Sequence, residues 1–322
     1  MASIKLVVID QPGADHLKVL GTLPESITVD VSNQAALLRE SVQEADVILN
    51  GIPDGHLLRD IFPHATRLRW VHSLSDGVEK ILFPELVASP AILTNARGVF
   101  KQALAEFVIA AVLYFAKDFR RLIRSQQAGI WQQFEMQEAH GKVMGIVGYG
   151  ETGRACAERA RPLGMKVLGL RRRPELSRGD PWLDAVLGPD GLHGLLAQSD
   201  YVVLAAPHTP QTRRLIGKVE LAVMKASAVL INVGRGSLVD ETALVDALEQ
   251  GRIRGAALDV YETAPLPSAH PFYRLENVLL SPHYADHTPG FNERDMEFFT
   301  QNLQRFLNGE PLRNVVDKEA GY

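Results

Sequence analysis

The sequence predicts an α/β protein of two doubly wound, parallel-sheet domains, on three observations. Short runs rich in Val, Ile and Leu alternate with helical patterns, the mark of βαβ units. These runs fall into two series separated by one long amphipathic pattern, so each series reads as its own sheet. At 322 residues the chain exceeds what one hydrophobic core usually serves.

In chain order, strands are predicted near Ile4–Asp10, Ile27–Val31, Asp46–Asn50, Leu68–His72 and Ile92–Thr94, enough for a complete domain over residues 1–98. A single helix is predicted from Ala103 to Arg124. The second series opens at Lys142 with KVMGIVG and continues through MKVLGL, YVVLAA, SAVLINV, GAALDV and NVLLSP, giving a second domain over 99–287. From about Thr288 the pattern is a helix through QNLQRFLNG and a short tail. Chain ends commonly lie near one another, so 288–322 is expected to return to the first domain.

A formal net charge of −4 supplies no basic field for a polyanion, and no Lys/Arg run is interleaved with aromatics, so nucleic acid is not an expected partner. The single cysteine, Cys156, rules out an internal disulfide framework. The opening MASIKLVVID lacks the basic-then-apolar order of a secretory signal, so a reducing, cytoplasmic setting is expected. The apolar stretch Phe107 to Ala116 is about half of what a bilayer core requires, and no membrane span is expected.

Gly148, Gly150 and Gly153 form G-x-G-x-x-G directly after the strand pattern KVMGIV and directly before the helix pattern RACAERARPLG. That order suits a dinucleotide: the first glycine permits a tight turn, the second lets backbone N–H groups approach a pyrophosphate, and the third allows close helix–strand packing. The next strand would normally end in an acidic residue that binds the adenosine ribose. Here it ends in Arg171, Arg172 and Arg173, the first of them 18 residues after Gly153, close to the ~20 expected. A guanidinium presents a planar fork of donors to a 2′-phosphate, so NADP is expected in preference to NAD; the alternative is a solvated basic turn.

Three later segments, INVGRGSLVDETAL, AALDVYETAPLP and LLSPHYADHT, carry polar residues at strand ends, where open parallel sheets bind ligands. The order G-x-G-x-x-G, N-x-x-R-G-x-x-V-D-x-x-A-L, A-L-D-V and S-P-H resembles the D-isomer-specific 2-hydroxyacid dehydrogenase family over essentially the whole chain. The resemblance implies a Rossmann dinucleotide-binding domain inserted into a flavodoxin-like substrate domain. It implies that Arg235 holds the substrate carboxylate and polarises the keto oxygen, and that His283 is the general acid. It places Asp259 by the nicotinamide, and the backbone of Asp76 and Gly77 at the substrate carboxylate. Glu151, Thr152, Pro207, Thr212, Val233 and Gly234 complete the expected cofactor contacts, with His283 beside the ring; no metal site is expected. Ser75, Arg97 and Trp131 are further candidates for the cleft, and AEFVIAAVLYFA resembles the family's dimerisation segment, implying a homodimer.

Two departures qualify the resemblance. The position of Asp76 is commonly small or apolar in the family, and the glutamate that usually contacts the histidine is replaced by Ala264, leaving Glu262 or Asp286 as possible substitutes. An active enzyme is expected, its reduction rate falling off at a lower pH than in relatives with that glutamate. The first reading is a reductase of glyoxylate, hydroxypyruvate or a similar 2-keto acid. The alternatives are oxidation of another small anion such as formate or phosphite, and a protein that senses NADP(H) without turnover.

Overall fold

The computed structural model describes residues 3–322 and divides the chain into two compact units. One joins the residues up to Val99 with Pro289–Tyr322; the other is Phe100–Thr288.

In the first unit β1 (Ile4–Ile9), β2 (Ile27–Ser32), β3 (Val47–Asn50), β4 (Trp70–Ser73) and β5 (Ile92–Asn95) form a wholly parallel sheet in the order β2-β1-β3-β4-β5. This is the flavodoxin-like order. The strands are apolar on both faces because both are covered. Ile9, Ile48, Val71 and Leu93 pack on one side with Leu58, Ile61 and Phe83. On the other, Leu6, Val8, Leu49 and Trp70 pack with Met296, Phe299 and Leu303 of the helix Phe291–Leu307. The Trp70 indole stacks on Phe299 at 5.5 Å and donates to Thr94 Oγ1 at 2.8 Å. The same hydroxyl lies 2.6 Å from Nδ1 of His72, whose complete burial pushes the imidazole down to about 3 and keeps it neutral. After the helix, Lys318 Nζ donates to the carbonyls of Leu86, Ser89 and Ala91 at 3.0, 2.6 and 3.0 Å, using all three ammonium donors to pin the tail.

In the second unit β6 (Val143–Val147), β7 (Lys166–Leu170), β8 (Ala185–Leu187), β9 (Tyr201–Leu204), β10 (Val229–Asn232), β11 (Gly255–Leu258) and β12 (Val278–Leu280) run parallel in the order β12-β11-β10-β9-β6-β7-β8. The order reverses between β6 and β9, the crevice where doubly wound sheets take ligands.

Two features differ from the sequence expectation. The helix predicted over 103–124 is two helices, Lys101–Ala116 and Phe119–Gln127. Asp118 between them has φ 51°, a left-handed conformation that no right-handed helix contains, and its carboxylate accepts from the Arg121 N–H to cap the second helix. The edge strand β8 was not predicted, because three residues offer too little pattern to reveal a strand. Among the described residues no helix is long and apolar enough to cross a membrane.

Candidate active site

Parallel strands deliver their following loops to one edge of the sheet. Along that edge of the second sheet His283 follows β12, Asp259 follows β11, Arg235 follows β10, Pro207 follows β9, the glycine loop follows β6 and the three arginines follow β7. Neighbouring strands lie about 4.8 Å apart, so the backbones bearing Arg235 and His283, two strands apart, start roughly 10 Å from one another.

The glycine loop fits a pyrophosphate. Gly148 has φ 95°, and a Cβ there would lie 2.4 Å from the backbone nitrogen of Ala206, so glycine is required. A Cβ at Gly153 would lie 2.7 Å from the Gly148 carbonyl oxygen, while one at Gly150 would meet nothing within 4 Å. The loop is closed against the helix on one side and open on the other. The helix Glu151–Ala160 starts at this opening, and its first N–H groups supply an anion site. Glu151 and Thr152 lie in that first turn; the Glu151 carboxylate is 2.5 Å from Lys101 Nζ, which offsets a charge that would oppose a phosphate. At the adenosine end, Arg171 Nη1 donates to Ser177 Oγ at 2.6 Å, which turns its guanidinium toward the 3-10 segment Pro174–Ser177, and Arg172 and Arg173 are exposed. In the loop after β9, Thr212 Oγ1 donates to the Pro207 carbonyl at 2.7 Å, tying the turn shut.

Arg235 is presented by a side chain that sequence reasoning did not single out. Asn232 ends β10 and is buried; its Oδ1 accepts from the Gly234 N–H at 3.1 Å, and its Nδ2 donates to the Arg235 carbonyl at 2.9 Å. Both halves of one carboxamide therefore shape the turn through Val233 and Gly234. Arg235 Nη1 donates to the Gly234 carbonyl at 2.8 Å.

His283 is held by Asp259. This aspartate is 1% exposed, and its Oδ1 accepts from Ser281 Oγ at 2.6 Å, from the Tyr284 N–H at 3.0 Å and from the Ala285 N–H at 3.1 Å. The residue encircled by these donors, His283, has φ 62°, an uncommon backbone state for anything but glycine. Tyr261 Oη lies 2.9 Å from the Leu258 carbonyl and 2.6 Å from that of Ser281, bracing the ends of β11 and β12.

Asp76 and Gly77 belong to the first unit, in the loop after β4. The Asp76 carbonyl accepts from Asn95 Nδ2 at 2.5 Å, and the Ser75 N–H donates to Ser73 Oγ at 3.2 Å.

The model of the D-isomer specific 2-hydroxyacid dehydrogenase NAD binding domain matches residues 109–285. The chain belongs to the D-isomer specific 2-hydroxyacid dehydrogenase family. A glyoxylate reductase of Thermococcus gammatolerans is 35% identical over 298 residues, covering 88% of this chain and 86% of that protein. A D-isomer specific 2-hydroxyacid dehydrogenase of Xanthobacter autotrophicus, solved with NADPH and MES, superposes with a TM-score of 0.84 at 30% identity over 100% of both chains. An NADPH-dependent glyoxylate/hydroxypyruvate reductase of Sinorhizobium meliloti, solved with NADP and sulfate, gives 0.86 at 25% identity over 99% of this chain and 100% of that one.

In this 2-hydroxyacid dehydrogenase the segment after Asp259 carries no glutamate at position 264. Ala264 offers no carboxylate, and the two proposed substitutes have other partners: Glu262 lies 3.6 Å from Arg214, and Asp286 lies 3.1 Å from His287 Nδ1. Of the remaining candidates, the Arg97 N–H donates to Asn95 Oδ1 at 3.3 Å, and Trp131 is 95% exposed on a segment without regular secondary structure.

Proposed function

We propose that this dehydrogenase reduces a small 2-keto acid, of the glyoxylate or hydroxypyruvate kind, and prefers NADPH to NADH. The observation that carries the reading is the placement of Arg235 and His283 at the ends of β10 and β12, on either side of Asp259. Arg235 sets a fixed cation beside the carboxylate and the keto oxygen, and stabilises the charge that develops on that oxygen more than the neutral ground state. His283 gives the same oxygen a proton. Bound NADPH supplies the hydride.

Initial rates at the nicotinamide absorbance, with a panel of 2-keto acids, test the proposal. Turnover of glyoxylate or hydroxypyruvate is expected; cofactor binding without turnover of any keto acid would instead make the chain a sensor of NADP(H). For the cofactor, exposed Arg172 and Arg173 after β7 are the natural partners of a 2′-phosphate. Replacing both with alanine should lower kcat/KM for NADPH by about 10- to 100-fold, the worth of one or two charge-assisted hydrogen bonds, and leave NADH nearly unchanged. Equal losses with both cofactors would remove the phosphate role.

The same reading includes a homodimer. Phe119, Leu122 and Ile123 are exposed on the helix Phe119–Gln127, directly after the apolar helix Lys101–Ala116, and a second copy would cover them. Sedimentation should return twice the chain mass, and a monomer at micromolar concentration would end this part.

A further inference from the structure

Asn232 shapes the turn of Arg235 from within, and a second side chain reaches the same turn from the neighbouring loop. His208 follows β9, between Pro207 and Thr209. Thr212 Oγ1 donates to the Pro207 carbonyl at 2.7 Å and accepts from the Thr209 N–H at 2.8 Å, so the imidazole stands on a closed turn. Its Nδ1 lies 2.7 Å from Oγ of Ser237, two residues after Arg235. Both groups are half-buried, and ring nitrogen and hydroxyl can each take the donor's or the acceptor's part.

The backbones of the two loops are joined as well. The Arg214 N–H donates to the Ser237 carbonyl at 2.7 Å, the Ile216 N–H to the Leu238 carbonyl at 3.0 Å, and the Asp240 N–H to the Ile216 carbonyl at 3.0 Å. On the opposite side Gly236 meets the loop after β11, where a Cβ would lie 1.9 Å from the carbonyl carbon of Tyr261. The segment 235–237 is thus held between two neighbouring loops. Backbone bonds survive any side chain at positions 208 and 237. The bond between His208 and Ser237 is the part of this seam that residue identity decides.

We propose that His208 is a positioning residue for Arg235: through Ser237 it locks the arginine's turn to the loop after β9, so that the guanidinium meets the keto oxygen in one orientation. The inference rests on reading Arg235 as the group that polarises that oxygen. Asn232 sets the shape of the turn, and His208 sets where that shape stands against the neighbouring loop. A preorganised charge stabilises a developing oxyanion only while its place is held, and a misplacement of about 1 Å costs on the order of 10²-fold in rate. Losing one hydrogen bond among several ties should cost less, about 5- to 10-fold.

The test follows glyoxylate reduction at saturating NADPH, with hydroxypyruvate run alongside, in His208→Leu, His208→Asn and Ser237→Ala. Leucine fills much of the space of the ring without a polar atom, whereas the asparagine amide stands close to the place of Nδ1 and can bond the hydroxyl again. His208→Leu and Ser237→Ala should each lower kcat about 5- to 10-fold, the double variant no further than either, and His208→Asn should return to within about twofold of wild type. In an Arg235→Gln background His208→Leu should cost less than about twofold, because the group it positions is gone. NADPH affinity, read from quenching of protein fluorescence, should stay within about twofold of wild type in the His208 and Ser237 variants. Wild-type kcat in both His208→Leu and Ser237→Ala overturns the role of His208, and so does asparagine as slow as leucine. An undiminished loss in the Arg235→Gln background overturns it too, as does a loss confined to NADPH affinity, which would make the bond a support of the cofactor loop. A wild-type protein that reduces no 2-keto acid overturns the reductase reading and this role with it.

Discussion

Replacing Arg235 with glutamine should lower kcat/KM for 2-keto acid reduction by roughly 10²- to 10³-fold, the usual cost of removing one preorganised group from a developing oxyanion. Glutamine approaches the reach of arginine and still donates hydrogen bonds, so what disappears is chiefly the fixed positive charge. The carboxylate of the substrate is anionic before and after the reaction, whereas the keto oxygen gains charge only as hydride arrives. A loss divided between KM and kcat is therefore expected, with the kcat share reporting the oxygen. Lysine should recover only part of the rate, because a point charge cannot serve two acceptors with the geometry of a guanidinium fork. Folding should be almost untouched. The turn that presents Arg235 is built by the Asn232 carboxamide, which accepts from the Gly234 N–H and donates to the Arg235 carbonyl, so the backbone that carries the guanidinium does not depend on it. Thermal stability and NADPH affinity close to wild type, alongside the loss of rate, are the expected pattern; a variant within about threefold of wild type in kcat/KM would show that the charge lies elsewhere.

What could be read from the sequence follows from the range of the forces involved. Strands such as Val229–Asn232 announce themselves because a parallel strand covered on both faces is apolar throughout, and the glycine loop does so because its neighbours leave no room for a Cβ at Gly148 or Gly153. The break at Asp118 was missed because periodicity runs through it: Phe115 and Phe119 continue the apolar pattern while one residue turns left-handed. The site shows the same division. Arg235 and His283, the proposed catalytic pair, were marked from motif order and from side chains able to act on a keto acid. Asn232 and Ser281 work through hydrogen bonds whose meaning appears only when the chain closes. The position of Ala264 illustrates the converse. The sequence shows that a carboxylate is missing, but only the structure shows Glu262 beside Arg214 and Asp286 beside His287.

With no glutamate at position 264, the geometry of His283 depends heavily on Asp259, and Asp259→Ala should damage fold and catalysis together. The substitution removes one oxygen that accepts from Ser281 Oγ and from the N–H groups of Tyr284 and Ala285. Alanine leaves those donors without their acceptor at a position only 1% exposed, where water has poor access. A destabilisation of about 2–5 kcal/mol is expected, since unsatisfied buried donors cost about 1–3 kcal/mol each and neighbouring losses do not simply add. The same three bonds hold His283 at φ 62°, a conformation that persists only while its surroundings enforce it. Once released, the loop relaxes and the imidazole leaves its place. A displacement of about 1 Å is enough to lower kcat on the order of 10²-fold. Asp259→Asn separates the two effects: its carbonyl oxygen can still accept in the plane of the loop, so stability and kcat should both return part of the way, whereas a purely electrostatic action of Asp259 on the imidazole would leave asparagine as slow as alanine with only the stability restored. If Asp259→Ala unfolds at the wild-type temperature and retains wild-type kcat, the loop is held by something other than this carboxylate.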